Sequence, residues 1–178
     1  MAKSPTVSEQ LILGGTQLVQ AEGLTDLSVR RLAEASGRST MCVYTAFGNR
    51  RNLIAAIYRR SAEEFIAELD GLDDPLPALA GHYRSYARDR PRLFHFLFEA
   101  DLAELGPTGN QERIKLIDAV IAQLDRRGQD GTDYWSRLHG LVVFESLSDR
   151  VKSNDQADRA ERVHSLLDAL TGSSIATK

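Results

Sequence analysis

Residues 28–53 read SVRRLAEASGRSTMCVYTAFGNRRNL and contain two short segments of helical spacing joined by a tight turn. Ser28 and Ser39 each stand where a helix should begin, because a serine hydroxyl can satisfy the free backbone amides of a first helical turn. Gly37 lies in the turn between the segments. Two short helices joined in this way form a helix-turn-helix, whose second helix enters the major groove of double-stranded DNA.

The second segment is predicted to project from the protein, with its outer side chains in the groove. Those side chains should be small or able to hydrogen-bond, because base edges in the roughly 12 Å wide major groove present donors and acceptors. Val43 and Phe47 are predicted to pack inward and brace the segment. The side chains expected on the outer face are Thr40, Met41, Cys42, Tyr44 and Thr45.

Helix starts around the turn predict a second kind of DNA contact. Asn49 is placed to cap the next helix, and Arg50 and Arg51 follow it directly. Backbone amides at a helix N-terminus and arginine side chains attract phosphate groups, which fixes register without reading sequence. Residues 28–60 also carry seven arginines against the single acidic residue Glu34, although the whole chain has a net charge of -3. This basic block indicates a local polyanion footprint.

Apolar residues recur at steps of three and four along the chain, and no stretch alternates cleanly between apolar and polar residues. This periodicity is typical of amphipathic helices, and glycines and prolines fall mostly at joints between the periodic runs. The pattern predicts an all-α fold with about nine helices. They are expected at about 8–22, 28–35, 40–45, 49–69, 76–89, 91–104, 110–127, 132–151 and 155–171.

Composition narrows the class of protein further. Hydrophobic residues make up 42% of the 178 residues, which is typical of a globular protein with a packed core. Cys42 is the only cysteine, which excludes an intrachain disulfide and a cysteine-rich zinc site. No apolar run approaches the roughly 20 residues that a membrane span needs, and the first residues lack the apolar core of a signal peptide. We therefore expect a cytoplasmic protein without membrane contact.

Residues 28–53 resemble the DNA-binding region of the TetR family of bacterial transcriptional regulators, and the resemblance extends over about residues 8–66. The matching positions are Ile12, Leu13, Leu18, Glu22, Gly23, Leu32, Ala33, Gly37, Ser39, Tyr44, Phe47, Arg50 and Leu53. The resemblance implies that Tyr44 and Arg50 contact backbone phosphates, as the matching residues generally do in the family.

The chain departs from the family pattern at Gly14-Gly15, Arg38, Met41-Cys42, Thr45-Ala46 and Arg50. The two glycines stand where alanines are usual, which allows a closer helix contact at some cost in helix propensity. The other departures lie largely on the predicted reading surface and therefore bear on which operator sequence is recognised. The residues predicted to contact DNA are Ser28, Arg38, Ser39, Thr40, Met41, Cys42, Tyr44, Thr45, Asn49 and Arg50.

The resemblance implies three parts along the chain. They are a helix-turn-helix DNA-binding domain at 1–48, a connecting helix at 49–70, and a ligand-binding and dimerisation domain at 71–178. In the last part, residues 134–147 read YWSRLHGLVVFESL, which is similar to a Trp…His-Gly pattern in one group of TetR C-terminal domains. Residues 86–98 resemble the same group.

Aromatic residues cluster in this C-terminal part. A cavity walled by aromatic side chains with a few polar groups is typical of small-molecule sites, although each aromatic residue taken singly could equally fill the core. The predicted ligand-binding residues are Tyr83, Tyr86, Phe94, Phe98, Trp135 and His139. The expected partner is an unidentified, largely apolar small molecule.

The predicted helices at about 132–151 and 155–171 carry apolar stripes. In the family the corresponding helices pair with their twofold mates, so a homodimer is implied, while the alternative is that both stripes face the protomer's own core. A twofold dimer places its reading helices one helical turn or somewhat more apart and matches a palindromic operator. The resemblance therefore implies a transcriptional repressor that a small molecule releases from its operator.

Three alternatives stay open. Enzymatic activity is disfavoured, because His82, His95, His139 and His164 fall at no metal-ligand spacing and no nucleophile motif occurs; we expect no catalytic residue, no metal and no cofactor. A redox-responsive regulator would sense oxidants through Cys42, since charge at a helix N-terminus lowers the pKa of a thiol. The regulator could also act as an activator.

Overall fold

The computed structural model describes residues 4–72, 76–102, 107–148 and 157–171, and within these ranges the chain forms helices and no strand. The predicted all-α class is therefore confirmed. The elements are α1 (Val7–Glu22), α2 (Val29–Ala35), α3 (Thr40–Phe47), α4 (Arg50–Asp70), α5 (Leu76–Asp89), α6 (Pro91–Phe94), a π-helical turn (His95–Glu99), α7 (Pro107–Asp125), α8 (Gly131–Ser148) and α9 (Ala157–Thr171). None of the described helices is long and apolar enough to cross a membrane.

The chain divides into two compact units. The first contains Met1–Phe65 and Arg90–Leu116, and the second contains Ile66–Asp89 and Ile117–Lys178. Helices α1 to α3 and most of α4 therefore share a unit with α6, the π-helical turn and the first half of α7. The functional division at residues 48 and 70 stays a prediction.

The helices of the first unit begin and end at residues whose local chemistry favours a boundary. Gly23 follows the end of α1 with a φ of 78°, a backbone conformation that glycine adopts without strain. The Ser28 hydroxyl accepts a hydrogen bond from the Arg31 amide, and the Asn49 side-chain oxygen accepts one from the Asn52 amide at 2.9 Å. These three predicted helix boundaries are confirmed.

Ser39 precedes α3, as predicted, but its hydroxyl makes no capping hydrogen bond to the backbone. The hydroxyl oxygen lies instead 3.5 Å from Sγ of Cys42. A serine at the start of a helix can bond to whichever polar group lies within reach, and here a thiol three residues further on takes that place. The prediction that Ser39 caps α3 through its side chain is wrong.

Gly14 brings α1 close to the end of α2. A Cβ atom at this position would lie 2.5 Å from Oγ of Ser36 and 2.8 Å from the carbonyl oxygen of Ala35. The Ser36 hydroxyl donates to the Leu32 carbonyl of α2 at 2.7 Å and also lies 3.4 Å from the Leu11 carbonyl of α1, which links the end of α2 to α1. The glycine that departs from the family pattern therefore permits a helix contact that an alanine would obstruct.

The predicted helix at 91–104 is wrong in its second half. α6 ends at Phe94, the π-helical turn continues to Glu99, and Ala100 is extended with a ψ of 146°. The apolar residues of this segment are all buried, namely Leu93, Phe94, Phe96, Leu97 and Phe98. A regular α-helix directs neighbouring side chains to different sides, whereas amides that bond five residues back widen the turn and let more of them face one core.

Side chains from two other helices hold the π-helical turn. The Tyr58 hydroxyl of α4 donates to the Leu97 carbonyl at 2.8 Å, and burial raises the pKa of Tyr58 to about 12. The Arg113 guanidinium of α7 donates to the same carbonyl at 3.2 Å and to the Ala100 carbonyl. These bonds satisfy carbonyls at the end of a helical segment, where regular backbone partners run out.

In the second unit, α5, α8 and α9 pack against one another. The Arg84 guanidinium on α5 donates to the Glu145 carboxylate on α8 and, at 2.8 Å, to Asp168 on α9. The hydrogen bond to Glu145 raises the pKa of Arg84 further above its ordinary value. Charge-assisted bonds of this kind fix the relative placement of the three helices. The predicted helix ends at 151 and 155 lie outside the described residues.

Gly14→Ala is expected to lower the free energy of unfolding by about 1–3 kcal/mol, because an added methyl group in a close contact forces the backbone apart. The matched control is Gly81→Ala on α5, where an added Cβ meets no atom within 4 Å. That variant should gain up to about 1 kcal/mol from helix propensity. Urea denaturation followed by circular dichroism measures both, and a Gly14→Ala variant as stable as the control would contradict the close contact.

Candidate functional site

Helix α3 presents most of its side chains to solvent. Val43 is fully buried, and α3 packs against α1 and α2 of the same unit. Met41 is 68% exposed and Tyr44 is 52% exposed, while Thr40 and Thr45 are also exposed. The predicted inward packing of Val43 is confirmed, whereas Phe47, predicted with it, is only half-buried. The exposed residues combine hydroxyl groups with one flexible apolar side chain.

Cys42 is half-buried within this helix. The hydrogen bond from the Ser39 hydroxyl, helped by the nearby Arg38 charge, lowers the pKa of the Cys42 thiol. A lower pKa means that a larger fraction of the thiol is ionised than in a free cysteine, and the thiolate is the form that reacts with oxidants.

Several predicted DNA-contact residues also make contacts within the protein. Arg38 is exposed, and its guanidinium donates to the Gln10 side chain of α1. Arg50 donates from Nε to the Leu27 carbonyl at 2.6 Å and thereby ties the start of α4 to the loop before α2. Ser28 serves as a helix cap. These residues therefore position the helix-turn-helix, and their contact with phosphate stays a prediction.

The charge of the basic block is partly offset by glutamates inside and outside it. Arg30 pairs with Glu34 at 2.7 Å, Arg31 pairs with Glu22 of α1, and Arg60 pairs with Glu64 at 2.6 Å. Sequence counting alone overestimates the local positive charge, because Glu22 and Glu64 lie outside residues 28–60. Exposed ion pairs of this kind contribute little to stability, but they reduce the positive electrostatic potential at the surface where a polyanion would bind.

Three predicted ligand-binding residues meet in the second unit. Tyr83 on α5 is fully buried, and its hydroxyl lies 2.8 Å from Nδ1 of His139 on α8. The Trp135 ring stacks on the His139 ring, with centroids 4.9 Å apart and an interplanar angle of 11°. Tyr86 is buried one turn further along α5, beside the ring of His82. The spacing of Trp135 and His139 on one helix made this pairing predictable.

The other two predicted ligand-binding residues lie in the first unit. The rings of Phe94 and Phe98 are 5.0 Å apart, and Phe98 also packs edge-on against Phe65 of α4 at 5.4 Å. Phe65 is fully buried and was not among the predicted site residues. The role of these aromatic residues in binding a ligand stays a prediction.

Apolar side chains on α8 and α9 divide between the core and the surface. Leu138, Val142 and Leu167 are buried within the protomer. Phe144, Leu147 and Leu166 are 41%, 53% and 54% exposed. The two predicted stripes therefore face the protomer's own core in part, while apolar side chains of both helices remain exposed. Val151 and Ala160, which the two predicted helices also contain, lie outside the residues whose side chains the structure describes.

Sequence reasoning missed the charged contacts of the second unit. Arg84 meets Glu145 and Asp168, which are 61 and 84 residues away along the chain. No local pattern marks such a triad, because each helix taken alone carries ordinary surface charges. Within the described residues, no three His, Cys, Asp or Glu side chains come together as a set of metal ligands.

The described residues form helices and no strand, and α3 exposes most of its side chains behind the buried Val43, an arrangement typical of helix-turn-helix regulators. Residues 76–170 match the family described as tetracyclin repressor-like, C-terminal domain. Because the match covers more than half of the chain, the protein belongs to the TetR family of transcriptional regulators. No curated protein matches the sequence.

Several solved structures share the fold of this chain. The multidrug binding protein EbrR, solved in complex with imidazole, has a TM-score of 0.67 at 20% identity, covering 94% of this chain and 96% of its own. The fatty acid degradation regulator FadR from Bacillus halodurans has a TM-score of 0.60 at 16% identity, with 93% and 96% covered. The TetR transcriptional regulator SCO0520 from Streptomyces coelicolor has a TM-score of 0.55 at 25% identity, with 92% and 97% covered. Two of these neighbours are described as regulators and one as a multidrug binding protein.

Proposed function

We propose that the protein is a homodimeric repressor that binds a palindromic operator through α3 and leaves it when a largely apolar small molecule binds to the C-terminal part. The observation that carries this proposal is the exposure of nearly a whole helix face behind one buried anchor, Val43. A helix of eight residues is about 12 Å long, which suits insertion into a major groove of about the same width.

The exposed face of α3 supplies base contacts in this proposal. Thr40 and Thr45 offer hydroxyl groups that donate or accept hydrogen bonds, and a threonine methyl group also fits against the methyl group of thymine. Met41 adds a flexible apolar contact. Tyr44 at the edge of the face reaches a backbone phosphate. Side chains of this kind read sequence only when the helix is held at a defined depth in the groove.

In this proposal, contacts to backbone phosphates set how deeply α3 lies in the major groove. The N-termini of α2 and α4 present backbone amides after Ser28 and Asn49, and Arg38 and Arg50 add formal positive charge beside them. Because the Arg50 side chain donates a hydrogen bond to the Leu27 carbonyl, its guanidinium is held at the start of α4. A positioned charge of this kind fixes the register of the protein on the duplex.

The exposed apolar side chains on α8 and α9 support the homodimer. Phe144, Leu147 and Leu166 would become buried if the same face of a second protomer covered them, which is the geometry of an isologous interface. Single exposed apolar residues are common on proteins, but three of them on two packed helices support an interaction site on these helices. The dimer presents both α3 helices to one side of a duplex.

A contact inside the first unit offers a route from ligand to DNA. Arg92 on α6 donates to the Ala21 carbonyl in the last turn of α1 at 2.5 Å. Because Phe94 follows two residues later on α6, a ligand that displaces this aromatic ring also pulls on α1, which braces α3. The neighbour EbrR is described as a multidrug binding protein, and this supports a small-molecule ligand for the related fold.

The test of this function begins with DNA selected by the protein from a random duplex library. We expect a palindromic sequence, bound with an affinity that a largely apolar small molecule lowers by several-fold to about a hundredfold, the range of a coupling free energy of about 1–3 kcal/mol. Fluorescence anisotropy measures the affinity, and a reporter gene behind the selected sequence measures expression.

Each alternative predicts a different result in these assays. Selection of no sequence would end the proposal, and higher expression in the presence of the bound protein would make it an activator. Release by hydrogen peroxide that disappears in Cys42→Ser would indicate redox sensing in place of ligand sensing. Failure of every compound to change the affinity would remove the small-molecule step.

Arg50→Ala is expected to reduce the salt dependence of operator binding by about one unit of slope, because one phosphate contact is lost. It should also lower the free energy of unfolding by about 1–3 kcal/mol through the lost bond to Leu27. The neighbouring Arg51→Ala serves as control, because Arg51 is exposed and its loss should change stability by less than about 0.5 kcal/mol. Lower stability with an unchanged salt slope would restrict Arg50 to a structural role.

Leu147→Glu and Leu166→Glu are each expected to convert the dimer to a monomer and to weaken operator binding by roughly a hundredfold or more, because two linked half-site contacts become one. Light scattering after gel filtration gives the oligomeric state. Ile114→Glu is the matched control, since Ile114 on α7 is 58% exposed and lies on neither α8 nor α9. Dimers that survive both leucine substitutions would place the interface elsewhere.

A further inference from the structure

The indole N–H of Trp135 is buried, and among the residues that the structure describes it has no hydrogen-bond partner. The indole nitrogen can only donate, so it needs an acceptor. Native proteins rarely leave a buried donor unpaired, because the group has lost water without gaining a replacement. The position of this donor, within the group of predicted ligand-binding residues, calls for a physical explanation.

Neighbouring rings pack against the indole of Trp135, but none of them accepts a hydrogen bond from its N–H group. Trp135 stacks on His139 with nearly parallel planes, a geometry in which neither ring can accept an in-plane hydrogen bond from the other. Nδ1 of His139 is already engaged by the Tyr83 hydroxyl at 2.8 Å. Tyr83 is fully buried, and its ring meets the His139 ring edge-on, so contacts from two neighbouring side chains restrict the rotation of the indole.

The charges near this stack favour a neutral acceptor. Arg84, next to Tyr83 in the chain, donates to both Glu145 and Asp168, so its guanidinium is already neutralised by two carboxylates. A buried carboxylate on a ligand would need a cation of its own, because an unpaired ion is far more costly to bury than a neutral dipole. A pure hydrocarbon would leave the indole donor unsatisfied.

We propose that Trp135 donates a hydrogen bond to a neutral carbonyl oxygen of the ligand, so that the regulator responds to ketones, esters or amides with an apolar body. This inference rests on the proposed function, since it names the chemical class of the molecule that releases the repressor. Trp135 sets the specificity of the site, and His139 and Tyr83 are positioning residues that orient it.

Trp135 is the only tryptophan in the chain, so its indole N–H gives a single, unambiguous signal in a spectrum of the 15N-labelled full chain. The probes are cyclohexanone, methylenecyclohexane, which has the same shape without the oxygen, and cyclohexanecarboxylate. We expect cyclohexanone to shift the indole proton downfield and to bind about tenfold more tightly than methylenecyclohexane, the difference that one buried hydrogen bond makes.

Trp135→Phe keeps an aromatic ring and removes the donor. Calorimetry on this variant should show cyclohexanone binding about tenfold more weakly than to the wild-type protein, with methylenecyclohexane unchanged. The wild-type comparison stands by itself if the variant does not fold. The proposal is overturned if the two neutral probes bind wild-type protein equally, if neither binds, if the indole signal does not move, or if the carboxylate binds best.

Operator binding measured in the same samples separates this proposal from the proposed function. An operator complex that responds to another compound, without an indole shift, would remove the carbonyl assignment and leave the repressor intact. An indole shift with cyclohexanone in a protein that selects no DNA sequence would retain the carbonyl site and remove the repressor.

Discussion

The burial of Val43 is the constraint on which the DNA-reading surface depends. Helix α3 has eight residues, and an isolated helix of that length is not stable in water, because nucleation costs more than so few backbone bonds return. The burial of Val43 therefore stabilises the helix, while Met41 and Tyr44 remain exposed. A chain that buried more of α3 would stabilise it and lose the surface that the proposed function requires.

The rest of the first unit keeps that anchor in place. The close contact at Gly14 sets α2 against α1, and the bond from Arg50 to the Leu27 carbonyl fixes the entry of α4. Arg92 then attaches α6 to the last turn of α1. Each contact joins elements that are adjacent in space, and together they give a small scaffold through which a displacement at α6 can reach α3.

In the second unit, polar groups decide how apolar helices are arranged. The Arg84 triad links α5 to α8 and α9, and the Tyr83–His139 bond connects α5 to α8 a second time, six residues before Glu145 on α8. Apolar burial alone is nondirectional, whereas these bonds require particular rotations of each helix. The same rotations leave Leu147 and Leu166 exposed and direct the Trp135 indole into the interior.

The sequence by itself determined the helical class, the helix-turn-helix and the helix boundaries at Gly23, Ser28 and Asn49, because capping and periodicity involve residues within a few positions of one another. It also placed Trp135 and His139 on one side of a helix. Tertiary structure alone decided the π-helical turn after Phe94, the partner of the Ser39 hydroxyl, the division of the α8 and α9 stripes, and the carboxylates that meet Arg84. Those outcomes depend on which distant side chains share the available space, and a one-dimensional pattern carries no such distances.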